Sequence, residues 1–392
     1  MSAVEKNDTI ADCIAMSVIV LMAIGTIFVF SASANLGQEL KLSRFYAFPS
    51  LRQILFFPLA AAIMYGMSHL DYRKLNFSGG WSKSPMVYLL GVSIMLLMFV
   101  LVPHIGVEVN YARRWLRIPV GPVSISFQPS ELAKWSLIIF IAGFCDKFSD
   151  ELHKYKQRFL PICGVIGLTA GLIVIEDFGT AAYVALLSFL MLIIAGVKIQ
   201  HILTLVPAGL AGFAAALISS PARIQRITAF FHSEQLAGSA AYQANQSLIA
   251  LGSGGLFGKG LGEGICKYGH LPEDTTDFIF AIIGEELGFA GTAAVIGLFI
   301  VFTWLGILVV VRCKDRFGQL LAGGIVMAVA IQAAINIGVV TVVLPTKGIP
   351  LPFVSAGGTS MLLSSAAVGI LLNIAKQSPK ASTVPEQGSN NG

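Results

Sequence analysis

Five carboxylates, Glu273, Asp274, Asp277, Glu285 and Glu286, crowd the stretch LPEDTTDFIFAIIGEELG, Leu271–Gly288, at the threshold of a long apolar segment. Charge at a membrane boundary is costly, so acids gathered there either cap a helix or do chemistry. A carboxylate at the mouth of an apolar groove, near basic residues of another loop, is what a general base needs. The capping reading makes Asp274 an N-cap and puts Asp277 at the third helical position, where negative charge suits the helix dipole. On that helix Gly284 and Gly288 fall within about 20° of Asp277, a small face that would border a groove or a close helix contact, while Glu285 lies about 80° round and roughly 12 Å deeper.

Two other stretches supply partners. In NYARRWLRIPVGPVSISFQPSELAKW, Asn110–Trp135, Arg113, Arg114 and Arg117 surround Trp115. Ser130 reads as an N-cap, and Glu131 and Lys134 share one face of the first helical turn. An interfacial Arg/Trp belt with an ordinary capped helix explains these residues. So does an anion site, since guanidinium forks suit phosphate oxygens. In LPTKGIPLPFVSAGGTSML, Leu344–Leu362, three prolines and three glycines imply a rigid non-helical re-entrant segment, with Lys347 and Ser355 as its polar contributions. Gln332 and Asn336, four apart, read as helix–helix hydrogen bonds.

The elements that must position these groups are membrane helices. Hydrophobic residues make up 55% of the 392 and charged residues 12%, with a mean hydropathy of +0.78. Soluble domains run near 25% charged, so this apolar length belongs in a bilayer. A net charge of +5, spread among loops, is no nucleic-acid footprint. Cys13, Cys145, Cys163, Cys266 and Cys313 have no paired spacing, which implies neither a disulfide framework nor a zinc site.

Apolar runs predict ten spans, near 11–33, 51–70, 84–103, 130–146, 159–175, 179–197, 200–219, 276–311, 319–343 and 357–375. The fold class is therefore all-α and polytopic, with one membrane domain over 1–376 and a disordered cytoplasmic tail over 377–392. Short, strongly basic loops on the side of both termini predict that side to be cytoplasmic. Ser31-Ala32-Ser33-Ala34 mimics a signal-peptidase site, but the acidic flank and full-length apolar run favour an uncleaved first helix.

Two outer loops, His104–Ser130 and Ser220–Thr276, exceed mere connectors. The second reads as an amphipathic helix over Ile224–Phe231, a short helix over Ala240–Leu251, and then a glycine run that breaks regularity. Either a loop folded over a membrane-facing cleft or a flexible link fits the run. It is no nucleotide loop, because Lys259 is followed by Gly260 rather than Ser or Thr.

The segments ARRWL…SFQPSELAK, QSLIALGSGGLFGKGLG, LPEDTTDFIFAIIGEELG and TKGIPLPFVSAGGTSML, in that order over residues 10–376, resemble the motifs of the SEDS family (FtsW/RodA/SpoVE). IIGEELG and PTKGIPLPF resemble the division-type FtsW branch more than RodA. The resemblance implies an inverting peptidoglycan glycosyltransferase that polymerises lipid II at the outer face of the cytoplasmic (inner) membrane. Its essential aspartate falls on Asp277, its Arg-Trp pair on Arg114 and Trp115, and its PSE-x-x-K on Pro129, Ser130, Glu131 and Lys134. Glu273, Lys267, Lys347 and Ser355 join the implied substrate-binding set.

In the implied reaction Arg114, Lys134 and either Lys267 or Lys347 hold the pyrophosphate, with or without a divalent cation (Mg or Mn). Asp277 takes the proton of the acceptor 4-hydroxyl, which attacks the anomeric carbon to give a β-1,4 glycan. The implied partners are a class B penicillin-binding protein and other divisome or elongasome membrane proteins. Four departures mark a divergent lineage: Asp274-Thr275 where a His is common, Glu176 before Asp177 where a Pro is usual, Ala356 for Tyr, and Gly264 for Ser. A flippase for lipid-linked precursors is the competing class, but such a protein needs polar sites along a through-path.

Overall fold

The computed structural model describes residues 3–33, 49–77, 83–109, 112–120, 123–231, 239–267, 275–345 and 348–377. Every predicted span is a helix. The first seven are α1 (Ala3–Ser33), α2 (Pro49–Met67), α3 (Pro85–Leu101), α4 (Pro129–Lys147), α5 (Leu160–Glu176), α6 (Phe178–Ile194) and α7 (Ile199–Ile218). Two helices then lie outside the predicted spans, α8 (Pro221–Phe231) and α9 (Ser239–Ser253), before α10 (Ile279–Arg312), α11 (Arg316–Val340) and α12 (Gly358–Gln377). Seven are long and apolar enough to cross a membrane: α1, α2, α5, α7, α10, α11 and α12. Helices α3 and α6 are apolar but have 17 residues, and α4 is interrupted by Glu131 and Lys134. The chain is a multi-pass, all-α membrane protein.

In a bilayer lipid tails already satisfy apolar side chains, so close approach and polar links decide which helices pair. Helix α12 packs along α2, α10 lies between α1 and α11, and α4 joins α3, α6 and α11. Aromatic side chains Phe280, Phe302 and Phe317 are fully buried in this interior. Gly25 lets α1 meet the re-entrant segment between α11 and α12 directly, since a Cβ there would come within 2.6 Å of Val354 Cα.

The first long loop, between α3 and α4, is more regular than its sequence implies. It forms an antiparallel sheet, β1 (Gly106–Val109), β2 (Ala112–Val120) and β3 (Val123–Phe127), in that order. The register shifts between Val107, opposite Trp115, and Glu108, opposite Arg113. Arg114 is therefore the extra residue of a bulge, a device that re-aims a side chain. Thr359 at the start of α12 donates to Ser126 O at 2.9 Å, tying the sheet to the bundle.

The second long loop, between α7 and α10, also departs from expectation. Helix α10 breaks at Gly288, where φ is +67° and ψ −161°, a conformation open only to glycine. The freed backbone groups are taken up by the glycine run. Lys259 N and Gly260 N donate to Glu285 O and Glu286 O, while Phe289 N and Ala290 N donate to Gly255 O and Leu256 O, all at 2.9–3.0 Å. A broken helix survives in a membrane protein only with such substitutes. The glycine run is thus a packed insert rather than a flexible link.

Candidate functional site

Asp277 does not occupy the third position of a helix. It lies in a turn over Thr275–Phe278, before α10 starts at Ile279 with Phe278 as its cap; Asp274 lies outside the described residues. The turn is held at its backbone. Asn336 Nδ2 donates to Asp277 O at 2.8 Å, Ser355 Oγ donates to Thr276 O, and Ala356 N donates to Thr275 O at 2.9 Å. The half-buried carboxylate rests against Gly348, where a Cβ would come within 2.6 Å of Oδ2. Glycine at 348 is therefore what leaves room for this acid.

The cationic side of the site comes from two other elements, β2 and α8. The bulge aims Arg114 at the junction of α5 and α6, where Nε donates to Glu176 O at 3.0 Å and the guanidinium lies 3.4 Å from Asp177. Asp177 also caps α6 through Thr180 N at 3.0 Å. Arg223 of α8 donates to Val174 O and Ile175 O at 2.9 and 3.1 Å, completing a set of cations on the carbonyl end of α5. Arg226, one turn on, is pushed below its usual pKa, first by burial of its guanidinium and then by Arg114, while Asp177 and Asp277 draw it up. Reading the sequence missed Arg223 and Arg226; their i,i+3 spacing on an amphipathic helix was the available signal.

The remaining predicted residues divide. Ser355 is in place beneath the Asp277 turn, accepting from Leu351 N at 2.8 Å while donating to Thr276 O. Trp115 is half-buried on β2, opposite Val107. Ser130 is not the cap of α4; Gln128 holds that place and Pro129 opens the helix. Glu131 and Lys134 form a buried pair at 2.8 Å. Glu131 also accepts from Ser360 Oγ at 3.2 Å, and Lys134 donates to Gln332 Oε1 at 3.0 Å.

Lys267 is equally enclosed, bound to Glu286 at 2.9 Å and to Gly262 O at 2.6 Å, with Ser31 of α1 donating to the same carboxylate. It belongs to the packing of the glycine run and not to the Asp277 turn. Glu285, expected deeper on the Asp277 helix, is likewise taken up by that run, accepting from Lys259 Nζ, Ile265 N and Cys266 N. Glu273 and Lys347 lie outside the described residues.

Gln332 and Asn336 do more than join helices. Besides meeting Lys134, Gln332 donates to Pro350 O at 2.9 Å, and Asn336 donates to Ile349 O at 2.8 Å. The site is therefore a half-buried carboxylate in a braced turn floored by an irregular segment, with guanidinium groups gathered at the end of α5. Such an arrangement can take a proton and neutralise an anionic leaving group.

Known proteins share this chain almost end to end. Residues 11–380 match the cell cycle protein family FtsW/RodA/SpoVE. The chain is 38% identical over 362 residues to the stage V sporulation protein E of Bacillus subtilis (strain 168), covering 92% of this chain and 95% of that protein. It is 37% identical over 377 residues to a probable peptidoglycan glycosyltransferase FtsW of Geobacter sp. (strain M18), covering 95% and 98%. In fold it is similar to a chain in the structure of a peptidoglycan synthase complex, with a TM-score of 0.69 at 22% identity over 92% of this chain and 96% of that one. The rod shape determining protein RodA of Thermus thermophilus follows, with a TM-score of 0.64 at 24% identity over 93% and 96%. With the whole bundle and all four motif segments inside the matched region, the chain belongs to the FtsW/RodA/SpoVE family of cell cycle proteins.

Proposed function

We propose that this chain is an inverting peptidoglycan glycosyltransferase that polymerises lipid II, with Asp277 as the general base. The observation that carries this reading is the half-buried Asp277 carboxylate, set in a braced turn beside Gly348 and within the electrostatic reach of Arg226. Asp277 accepts the proton of the acceptor 4-hydroxyl as that oxygen attacks the anomeric carbon of the donor. The C1–O bond to the pyrophosphate breaks, and the electron pair leaves on a phosphate oxygen beside Arg114 and Arg226. Guanidinium groups suit that charge because they stay protonated and offer paired donors. The guanidinium groups gathered at the end of α5, beside Asp177, fit an anionic substrate.

Among the described residues no group of three or more His, Cys, Asp or Glu gathers to hold a metal. Lys134 and Lys267 are each enclosed with a buried glutamate, whereas Arg114 keeps 32% of its side chain exposed beside Asp177 and is the better placed to meet the pyrophosphate. The buried charges of the bundle interior are likewise paired with one another, unlike the open polar path of a flippase.

The same reading places the chain in the cytoplasmic membrane with both termini in the cytoplasm. It has residues 1–376 as one membrane domain, and residues 378–392 of the tail lie outside the described residues. Its partner is a transpeptidase of the class B penicillin-binding type, supported by the fold shared with a chain of a peptidoglycan synthase complex. The test is glycan polymerisation from labelled lipid II by the purified chain, alone and with its transpeptidase. Wild type should make long glycan and Asp277→Asn should lose roughly 10²–10⁴-fold of the rate. No glycan from folded wild type with its partner sinks the polymerase; normal polymerisation by Asp277→Asn sinks the base assignment alone.

A further inference from the structure

Lys134 is 1% exposed. Its ammonium meets Glu131 Oε2 at 2.8 Å and Gln332 Oε1 at 3.0 Å. The rings of Trp135 and Tyr183 lie 4.9 and 5.8 Å away. A group so enclosed is poorly placed to grip a substrate phosphate. What it does reach is the amide of Gln332, whose other end donates to Pro350 O. With its acceptor oxygen occupied by the ammonium, that amide can present only its nitrogen to the re-entrant segment.

One turn along α11, Asn336 repeats the arrangement closer to the chemistry. Its Nδ2 is shared between Ile349 O and Asp277 O, both at 2.8 Å. The residue is fully enclosed, and its Oδ1 has no hydrogen-bond partner among the described residues. A buried amide left half-satisfied costs about 1–3 kcal/mol. Leucine, of similar shape, would avoid that cost, so the donor end of Asn336 must matter.

We propose that Gln332 and Asn336 are positioning residues: Asn336 ties the Asp277 turn to the 348–356 segment, and Gln332, oriented by the buried Glu131–Lys134 pair, holds that same segment in register. Lys134 then acts at second hand, by orienting Gln332, and not by contact with pyrophosphate. The proposal rests on Asp277 being the general base. Two different helices converge on the same backbone, α4 through Lys134 and α11 through both amides. A base displaced by as little as 1 Å loses about 10²-fold in rate, so this bracing is where rigidity would be read out.

The experiment measures kcat and KM for lipid II polymerisation across pH, in full-length chain bound to its transpeptidase, for wild type, Asn336→Leu, Gln332→Met and Lys134→Met. The expected result is a kcat at least about tenfold lower with KM held within about twofold, and an acid limb displaced by about half a pH unit or more. Merely looser packing would lower the yield of folded protein without moving that limb. A raised KM with kcat preserved in Lys134→Met would overturn the proposal in favour of direct phosphate contact. Unchanged kinetics in Asn336→Leu and Gln332→Met would also overturn it. If Asn336→Leu does not fold, Gln332→Met carries the test; failure of both to fold would show that the amides hold the bundle rather than the turn. An inactive wild type would instead remove the polymerase reading itself.

Discussion

Asp277 and the pair Glu285–Glu286 belong to one acidic stretch, yet the structure gives them opposite tasks. Both glutamates are 0% exposed, and each accepts from a lysine and from backbone N–H groups of the glycine run. Asp277 is half-buried, with its backbone braced and its carboxylate laid along Gly348. All three side chains are carboxylic acids, and Glu285 lies only eight positions from Asp277. What differs is the setting: the glycine run encloses both glutamates and fills their acceptor sites, whereas the Asp277 carboxylate stays half-buried beside Gly348.

Breaking the buried side of this comparison should have the largest effect on stability. Glu286→Ala strands Lys267 and leaves Ser31 and Gly262 N without their acceptor, so unfolding of detergent-solubilised protein should become easier by about 3–5 kcal/mol. Asp277→Asn should melt within error of wild type. A Glu286→Ala chain as stable as wild type but inactive would reverse the two assignments.

Next in size is the helix break on which the glycine run depends. Gly288→Ala brings a Cβ within 2.7 Å of the Leu256 carbonyl carbon and forces a φ of +67° on a residue with a side chain. The expected loss is about 1–3 kcal/mol, read as a lower melting temperature. Asp277 chemistry should survive in the protein that remains folded. The smallest effect belongs to Arg113, whose link to Glu108 is 3.4 Å long between side chains 35% and 52% exposed. Arg113→Ala should shift stability by less than about 1 kcal/mol. A strong loss of polymerisation in Arg113→Ala, matching Arg114→Ala, would extend the functional cations to the exposed face of β2.

Much of the fold was legible because the bilayer imposes a length and an apolar composition on each span, and both are local properties. All ten apolar runs became helices, including α3 and α6 at only 17 residues. The amphipathic pattern from Ile224 and the short run from Ala240 were legible for the same reason. The sheet was not, because Arg113, Arg114 and Arg117 obscure the alternation in β2, and the Arg114 bulge shows only when β1 pairs with β2. The start of α10 was misplaced since an acid before an apolar run reads as a cap, whereas backbone bonds from Ser355 and Asn336 hold Asp277 outside the helix.

The sequence alone thus determined the class of molecule, the order of its spans and the candidate base. These follow from hydrophobicity and motif, and neither needs a distant neighbour. Tertiary structure alone decided which charges are open to a substrate. Lys134 finds Gln332 across 198 positions and Glu286 finds Ser31 across 255. Arg114 and Arg226 come from separate loops, and Asp177 acts on both of them. A charge is spent or available according to what surrounds it at 3 Å, as ion pairs and hydrogen bonds act only at contact, and those contacts exist only once the chain has folded.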